Sequence, residues 1–149
     1  KPEKALWYAQ QSIVFYPAVS NYTNLGVIRQ KLRDFGGAKQ AYLDALKLVP
    51  LRVTYENIAI VNLTIGPSAE NIRFLKSALA VYPSNNRLWT YLAIEEAAAG
   101  TREEAKTAIL NAYRLGPIPP ALYNAIINQQ PLDIPMPDSD QVIHISWHV

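Results

Sequence analysis

The sequence has no cysteine, one methionine and only two histidines among its 149 residues. Disulfides and thiolate chemistry are therefore excluded. No apolar run approaches the roughly 20 residues that a membrane-spanning helix needs, so direct membrane insertion is not expected. The 14 basic and 12 acidic side chains give a net charge of +2. Because this bias is small, a nucleic-acid partner is not expected either.

Sequence motifs of enzymes are also missing. There is no Gly-rich phosphate loop, no GxSxG and no HExxH. The carboxylate pairs Glu95-Glu96 and Glu103-Glu104 are expected to be solvated, since adjacent helix positions point in different directions. We predict that the protein is not an enzyme and has no catalytic residue, no cofactor and no metal ion.

Four prolines divide the chain into units of nearly equal length. Their spacings are 33, 33 and 34 residues, between Pro17, Pro50, Pro83 and Pro117. A fixed period of this size is typical of a solenoid of helical hairpins. An aromatic residue precedes each of the last three prolines by 28 residues, at Tyr22, Tyr55 and Trp89. The chain is therefore predicted to be a short array of repeats.

Glycines and capping residues predict where individual helices begin and end. We expect Gly36-Gly37 to separate a helix that ends near Phe35 from one over 38–49. Ser68 is a predicted N-cap, and Thr101 with Glu104 is a predicted capping box.

Apart from spacing, the units share residue types. The first has Tyr22, Leu25, Gly26, Ala38, Tyr42, Ala45 and Pro50; the third has Trp89, Leu92, Ala93, Ala105, Ala112 and Pro117. The second is weaker, because Asn71 replaces an expected alanine. In this pattern residues 5–117 resemble tetratricopeptide repeat (TPR) proteins. The tyrosine usual late in the first helix of that family is replaced by Arg29, Asn62 and Glu96.

The resemblance implies an all-α fold, an α-solenoid of TPR hairpins over residues 1–130. Its parts are a half repeat (1–17), three full repeats (20–50, 53–83 and 86–117) and a capping helix (119–129). Small residues at helix contacts are expected to be buried, because larger ones would overpack the contact. These are Gly26, Ala59, Ala93, Ala45, Ala78 and Ala112.

The first predicted helix, Glu3–Tyr16, aligns with the second helix of a repeat. Its partner helix is missing, so we expect this sequence to be a fragment or processed product of a longer protein. The alternative is a natural N-terminal capping helix.

Residues 131–149 form a Pro-rich and apolar tail, which is predicted to be extended. Prolines from Pro131 onward exclude a helix, and Val142–Val149 alternates like a strand. We expect no partner strand within a helical array and expect the tail to dock. His144 and His148 would lie roughly 13 Å apart on a strand, too far to share a metal.

The resemblance implies that the first helix of each pair lines a binding groove. The candidate peptide-binding residues are Thr23, Asn24, Val27, Lys31, Glu56, Asn57, Ile60, Arg87, Thr90, Tyr91 and Ile94. Asn24 and Asn57 share one offset and could grip a peptide backbone, since amides both donate and accept. Val27, Ile60 and Ile94 share another, where packing against neighbouring helices is the alternative role.

The predicted function is protein–protein interaction: a scaffold that binds an extended peptide or a helix in its groove. One alternative is a non-catalytic C-terminal TPR domain of a larger bacterial membrane protein or enzyme, such as a polytopic glycosyltransferase. Another is self-association, with a homodimer formed through residues 131–149.

Overall fold

The computed structural model describes residues 1–147 and places eight helices and two short strands in them. The elements are α1 (Pro2–Phe15), α2 (Val19–Lys31), α3 (Phe35–Leu48), α4 (Arg52–Ile65), α5 (Ala69–Val81), α6 (Asn86–Ala98), α7 (Arg102–Leu115), α8 (Pro120–Ile127), β1 (Leu132–Pro135) and β2 (Val142–Ile145). The chain divides into two compact units, Lys1–Ile65 and Gly66–Val149. The boundary falls inside the predicted repeat 53–83, so α4 belongs to the first unit and α5 to the second.

Consecutive helices pack against each other within each unit. In the first unit α1 packs on α2, α2 on α3 and α3 on α4; in the second α5 packs on α6, α6 on α7 and α7 on α8. This arrangement confirms the predicted class, an all-α helical-repeat solenoid. The small residues expected at helix contacts are buried, namely Gly26, Ala45, Ala59, Ala78, Ala93 and Ala112.

The core of the first unit contains a tightly held tyrosine. Tyr42 of α3 is buried against Gly26 of α2. Its hydroxyl donates a hydrogen bond to Oε1 of Gln30 at 2.9 Å. Burial raises the pKa of Tyr42 to about 12, because the charged phenolate would lose its hydration. A buried apolar cluster of the same unit contains Ala9 of α1, Leu25 of α2 and Ala41 of α3.

The turn between α2 and α3 differs from the sequence prediction. Helix α2 ends at Lys31 and α3 begins at Phe35, so Gly36-Gly37 lies inside the first turn of α3. Asp34 is the N-cap, and its Oδ1 accepts a hydrogen bond from the Gly37 amide at 3.0 Å. A Cβ at Gly37 would lie 2.7 Å from the Asp34 Cγ. The glycine therefore makes room for a cap and does not break the helix.

Two further capping predictions have opposite outcomes. The Ser68 cap is confirmed, because its Oγ accepts a hydrogen bond from the Asn71 amide at 3.1 Å. The Thr101–Glu104 capping box is wrong. The Thr101 hydroxyl donates to the carboxylate of Glu96 and to the Glu96 carbonyl, the latter at 2.8 Å. The Thr101 side chain makes no capping hydrogen bond to α7, so the box does not form.

The expectation that the tail lacks a partner strand is wrong. Strand β1 pairs antiparallel with β2, with Leu132 opposite Ile145 and Pro135 opposite Val142. Strand β2 packs against α6, and β1 lies against α8. Ile143 and Ile145 are each 1% exposed. The chain therefore folds back on its own second unit through this hairpin.

Candidate functional site

The predicted binding residues are divided between the two units. In the first unit, α2 and α4 carry Thr23, Asn24, Val27, Lys31, Glu56, Asn57 and Ile60. In the second, α6 carries Arg87, Thr90, Tyr91 and Ile94. Each set has its own surroundings, so the two surfaces are considered separately.

Asn24 of α2 lies where two surface cavities of the first unit meet. One cavity, of about 370 Å³, lies between α1 and α2 and is lined by Ala5, Tyr8, Ala9, Ser12, Asn21, Asn24, Val27 and Ile28. The other, of about 540 Å³, is lined by Ala18, Val19, Ser20, Thr23, Asn24, Leu51 and Val53. The linings are mostly apolar, with a few polar groups among them, as is usual for ligand sites.

The polar groups around these cavities differ in whether they already have partners. The Thr23 hydroxyl donates to the carbonyl of Val19 at 2.8 Å. The Asn21 amide donates to the carbonyl of Tyr16 at 2.7 Å. The exposed Asn24 side chain makes no hydrogen bond to any residue in the range 1–147. Asn24 can therefore both donate to and accept from a bound chain.

The α4 residues are less accessible than the α2 residues. Glu56 is 4% exposed, and its carboxylate lies 3.7 Å from the guanidinium of Arg52. Asn57 and Ile60 are half-buried. Lys31, at the end of α2, is exposed. Among the predicted residues of the first unit, Asn24, Val27 and Lys31 are thus exposed, whereas Glu56 is buried beside Arg52.

In the second unit, the predicted binding residues on α6 also differ in how exposed they are. Val27 is 37% exposed in the first unit, but Ile94, at the equivalent repeat position, is 6% exposed. The Thr90 hydroxyl donates within the helix to the carbonyl of Asn86 at 2.9 Å. Arg87 is exposed and Tyr91 is half-buried. Helix α6 packs on α5, α7 and β2, and more of its residues are buried than those of α2.

The sequence interpretation missed a buried polar cluster that links α6 to the start of α5. Glu95 is 1% exposed, which is contrary to the expectation of a solvated side chain. Its Oε1 accepts a hydrogen bond from Nδ2 of Asn71 at 2.9 Å, and its Oε2 accepts one from the Ser68 amide at 3.2 Å. Asn71 Nδ2 also donates to the carbonyl of Gly66 at 3.0 Å. The one signal of this cluster in the sequence was Asn71, which stands where the repeat pattern expects alanine.

Burial raises the pKa of Glu95 above the ordinary value of 4.5. The hydrogen bonds from Asn71 and Ser68 oppose this shift, and the nearby charge of Glu96 adds to it. Burial is the largest cause, because a carboxylate loses hydration when it is enclosed.

This shift predicts a pH dependence of stability. Between pH 4.5 and the raised pKa, the folded state binds more protons than the unfolded chain. The free energy of unfolding of the second unit should therefore fall as pH rises through this interval. Urea denaturation between about pH 4 and 8 should show a weaker fall in Glu95→Gln than in the unsubstituted protein. The exposed Glu70→Gln is the control, and an unchanged slope in Glu95→Gln would contradict the assignment.

Other functional features are sparse. His144 lies 2.7 Å from Asp133 across the hairpin, and both side chains are exposed. The predicted separation of His144 from His148 is not tested, because His148 and Val149 lie outside the described residues. Over residues 1–147, no three or more His, Cys, Asp and Glu side chains are grouped closely enough to hold a metal ion. Within that range, no helix has the length and apolar character required to cross a membrane.

No protein-family model matches the sequence, and a search of curated proteins gives no match.

Proposed function

We propose that the protein is an interaction module of the TPR type that binds an extended peptide on the α2 face of its first unit. The main support for this proposal is the exposed Asn24 amide, which has no hydrogen-bond partner among residues 1–147. This side chain lies between two largely apolar cavities. Such an amide can bond to a peptide backbone while the cavities accept side chains. The repeat pattern of small residues, prolines and aromatics supports the TPR assignment.

The α2 face suits peptide binding for two physical reasons. Val27 adds exposed apolar surface one turn after Asn24. The neighbouring α1 contributes Tyr8 and Ser12 to the same cavity, so that apolar contact and hydrogen bonding are available together. Asn57 and Ile60 of α4 are secondary contributors in this proposal, because they are half-buried.

The test uses Asn24→Ala as the variant and Asn124→Ala as the matched control. Asn124 is also exposed, but it lies on α8 of the second unit. Peptides would be selected against the unsubstituted protein from a random display library, and their affinities measured by calorimetry. Asn24→Ala should weaken binding by about tenfold, which is equivalent to one or two lost hydrogen bonds.

The thermal stability of both variants should change by less than about 0.5 kcal/mol, since both positions are exposed. If the two variants bind equally well, or if no peptide is selected, the proposal is wrong. A loss of stability that parallels the loss of binding would also count against it.

A second candidate function, a non-catalytic domain within a larger protein, is favoured by α1. This helix exposes several large apolar side chains, with Phe15 at 82% and Val14 at 73%, and the adjoining Tyr16 at 73%. Exposed apolar surface of this kind marks sites that contact other protein segments. The gene would be read upstream of the codon for Lys1. A preceding segment with helical apolar spacing is expected, and a start codon directly before Lys1 would contradict this candidate.

The homodimer through residues 131–149 is the third proposal. The side chains of Ile143 and Ile145 could contact a second copy only if the hairpin left its own unit, because both are buried there.

A further inference from the structure

A separate open cavity of about 320 Å³ lies among α5, α6 and α7 in the second unit. Its lining comprises Lys76, Trp89, Leu92, Glu96, Glu103, Glu104, Thr107 and Ala108. None of these residues belongs to the predicted peptide-binding set. The lining combines three residues with carboxylate side chains, one with an indole and one with an ammonium group.

Glu96 is the most informative residue of this cavity. It is 4% exposed, yet it is one of the residues that line the cavity. One oxygen accepts the Thr101 hydroxyl, and the other has no hydrogen-bond donor among residues 1–147. That second oxygen is not among the buried unpartnered polar atoms of residues 1–147, so it is open to a donor from outside the chain. A cationic donor placed in the cavity would supply a charged hydrogen bond to it.

Two neighbouring groups favour the same type of ligand. The Trp89 indole N–H donates to the Pro83 carbonyl at 2.8 Å, which fixes the ring beside the cavity. Tryptophan is the side chain that attracts cations most strongly through its π face. Glu104 is not used in a capping box, since the Thr101 amide bonds instead to the Glu96 carbonyl at 3.0 Å. Its carboxylate is therefore available to the cavity.

We propose that this cavity binds an arginine side chain presented by a protein partner. A guanidinium group can stack on the indole with its planar face while its N–H groups donate to carboxylates. Lysine would supply only a point charge, without the planar face. Glu96, Glu103 and Glu104 outweigh the one positive charge of Lys76, so the cavity favours a cation. This site is independent of the peptide-binding surface proposed for the first unit.

The experiment is an NMR titration of the full chain with the peptide acetyl-Gly-Arg-Gly-amide. The reporter is the indole N–H signal of Trp89, identified by its loss in Trp89→Phe. The control peptide carries citrulline, which has a similar shape but no charge. The arginine peptide should shift the Trp89 signal in a saturable way and leave the Trp7 signal in place. The citrulline peptide should shift neither signal.

Charge variants make the test specific. Glu96→Gln and Glu104→Gln should each weaken binding by about tenfold, as expected when a charged hydrogen bond is lost. Lys76→Ala should tighten binding, because it removes a competing positive charge. Glu70→Gln removes an equal charge outside the cavity and should leave binding within about twofold.

The amide spectrum of each variant reports whether it is folded. If Glu96→Gln does not fold, Glu104→Gln and Lys76→Ala decide the result. An unshifted Trp89 signal, an equal response to citrulline, or equal weakening by Glu70→Gln and Glu104→Gln would overturn the proposal.

Discussion

Replacing Gly26 with valine should lower the free energy of unfolding of the first unit by about 3 kcal/mol, the upper part of the usual range for overpacking. A Cβ at this position would lie 2.6 Å from Cδ1 and 2.8 Å from Cζ of Tyr42. The ring cannot easily move away, because it is buried and its hydroxyl is bonded to Gln30. The α2–α3 contact must therefore open to admit the side chain.

Gly36→Val is the matched control for this prediction. A Cβ at Gly36 meets nothing within 4 Å, so the same substitution should change stability by less than about 0.5 kcal/mol. Hydrogen exchange of amides in α2 and α3 reports on the first unit directly. Tyr42→Ala should cost less stability in the Gly26→Val background than in the unsubstituted protein, as the effects of contacting residues are not additive. Equal exchange rates in the two valine variants would contradict the packing argument.

Replacing Ile143 with alanine should destabilise the second unit by about 2–5 kcal/mol. Ile143 is fully enclosed on β2, which packs against α6. The substitution removes buried apolar surface and leaves a cavity that the short hairpin can close only in part. This large effect is expected although residue 143 lies within seven positions of the end of the sequence.

His144→Ala is the control, because its side chain is exposed and points to the other face of the strand. Loss of its contact with Asp133 should cost less than about 1 kcal/mol, as is usual for an exposed pair. Urea denaturation followed by circular dichroism and tryptophan fluorescence would measure both variants. If Ile143→Ala unfolds at the same urea concentration as His144→Ala, the hairpin does not contribute to the core.

The helical-repeat class could be predicted because it depends on local signals that recur. Proline spacing and the buried small residues, such as Ala45 and Ala78, belong to single helices and their immediate neighbours. The predicted start of α3 was wrong because two local signals compete there. A glycine pair commonly ends a helix, but Asp34, two residues before the pair, makes a stronger N-cap.

The hairpin was missed because its signals were distributed over two segments. Leu132–Pro135 is short and ends in proline, which argues against a strand within a sheet interior. Proline is tolerated on an edge strand, and a two-stranded sheet has only edges. The turn residues Pro137, Asp138 and Ser139 between the strands were a usable signal. Val142–Ile145 alone showed only that a strand was present.

The candidate site was predicted least completely. Equivalent repeat offsets predict equivalent positions on helices, but exposure depends on what packs against each helix. Val27 remains accessible, whereas Ile94 lies on the helix that β2 contacts. Glu95 was misread for a related reason. Its hydrogen-bond donor Asn71 is 24 positions away, which adjacency in the sequence does not reveal.

The Asn71–Glu95 pair also bears on how such an array can change in evolution. Repeat proteins commonly gain or lose whole units, because each unit contacts only its neighbours. One repeat earlier in the chain, the positions equivalent to Asn71 and Glu95 are occupied by Ala38 and Val61, both apolar and buried. A recombination that joined α3 directly to α6 would place the Glu95 carboxylate next to Ala38 without its amide donor. The repeats are thus not interchangeable at this position, because the buried Glu95 carboxylate depends on an amide donor that only the repeat containing Asn71 supplies.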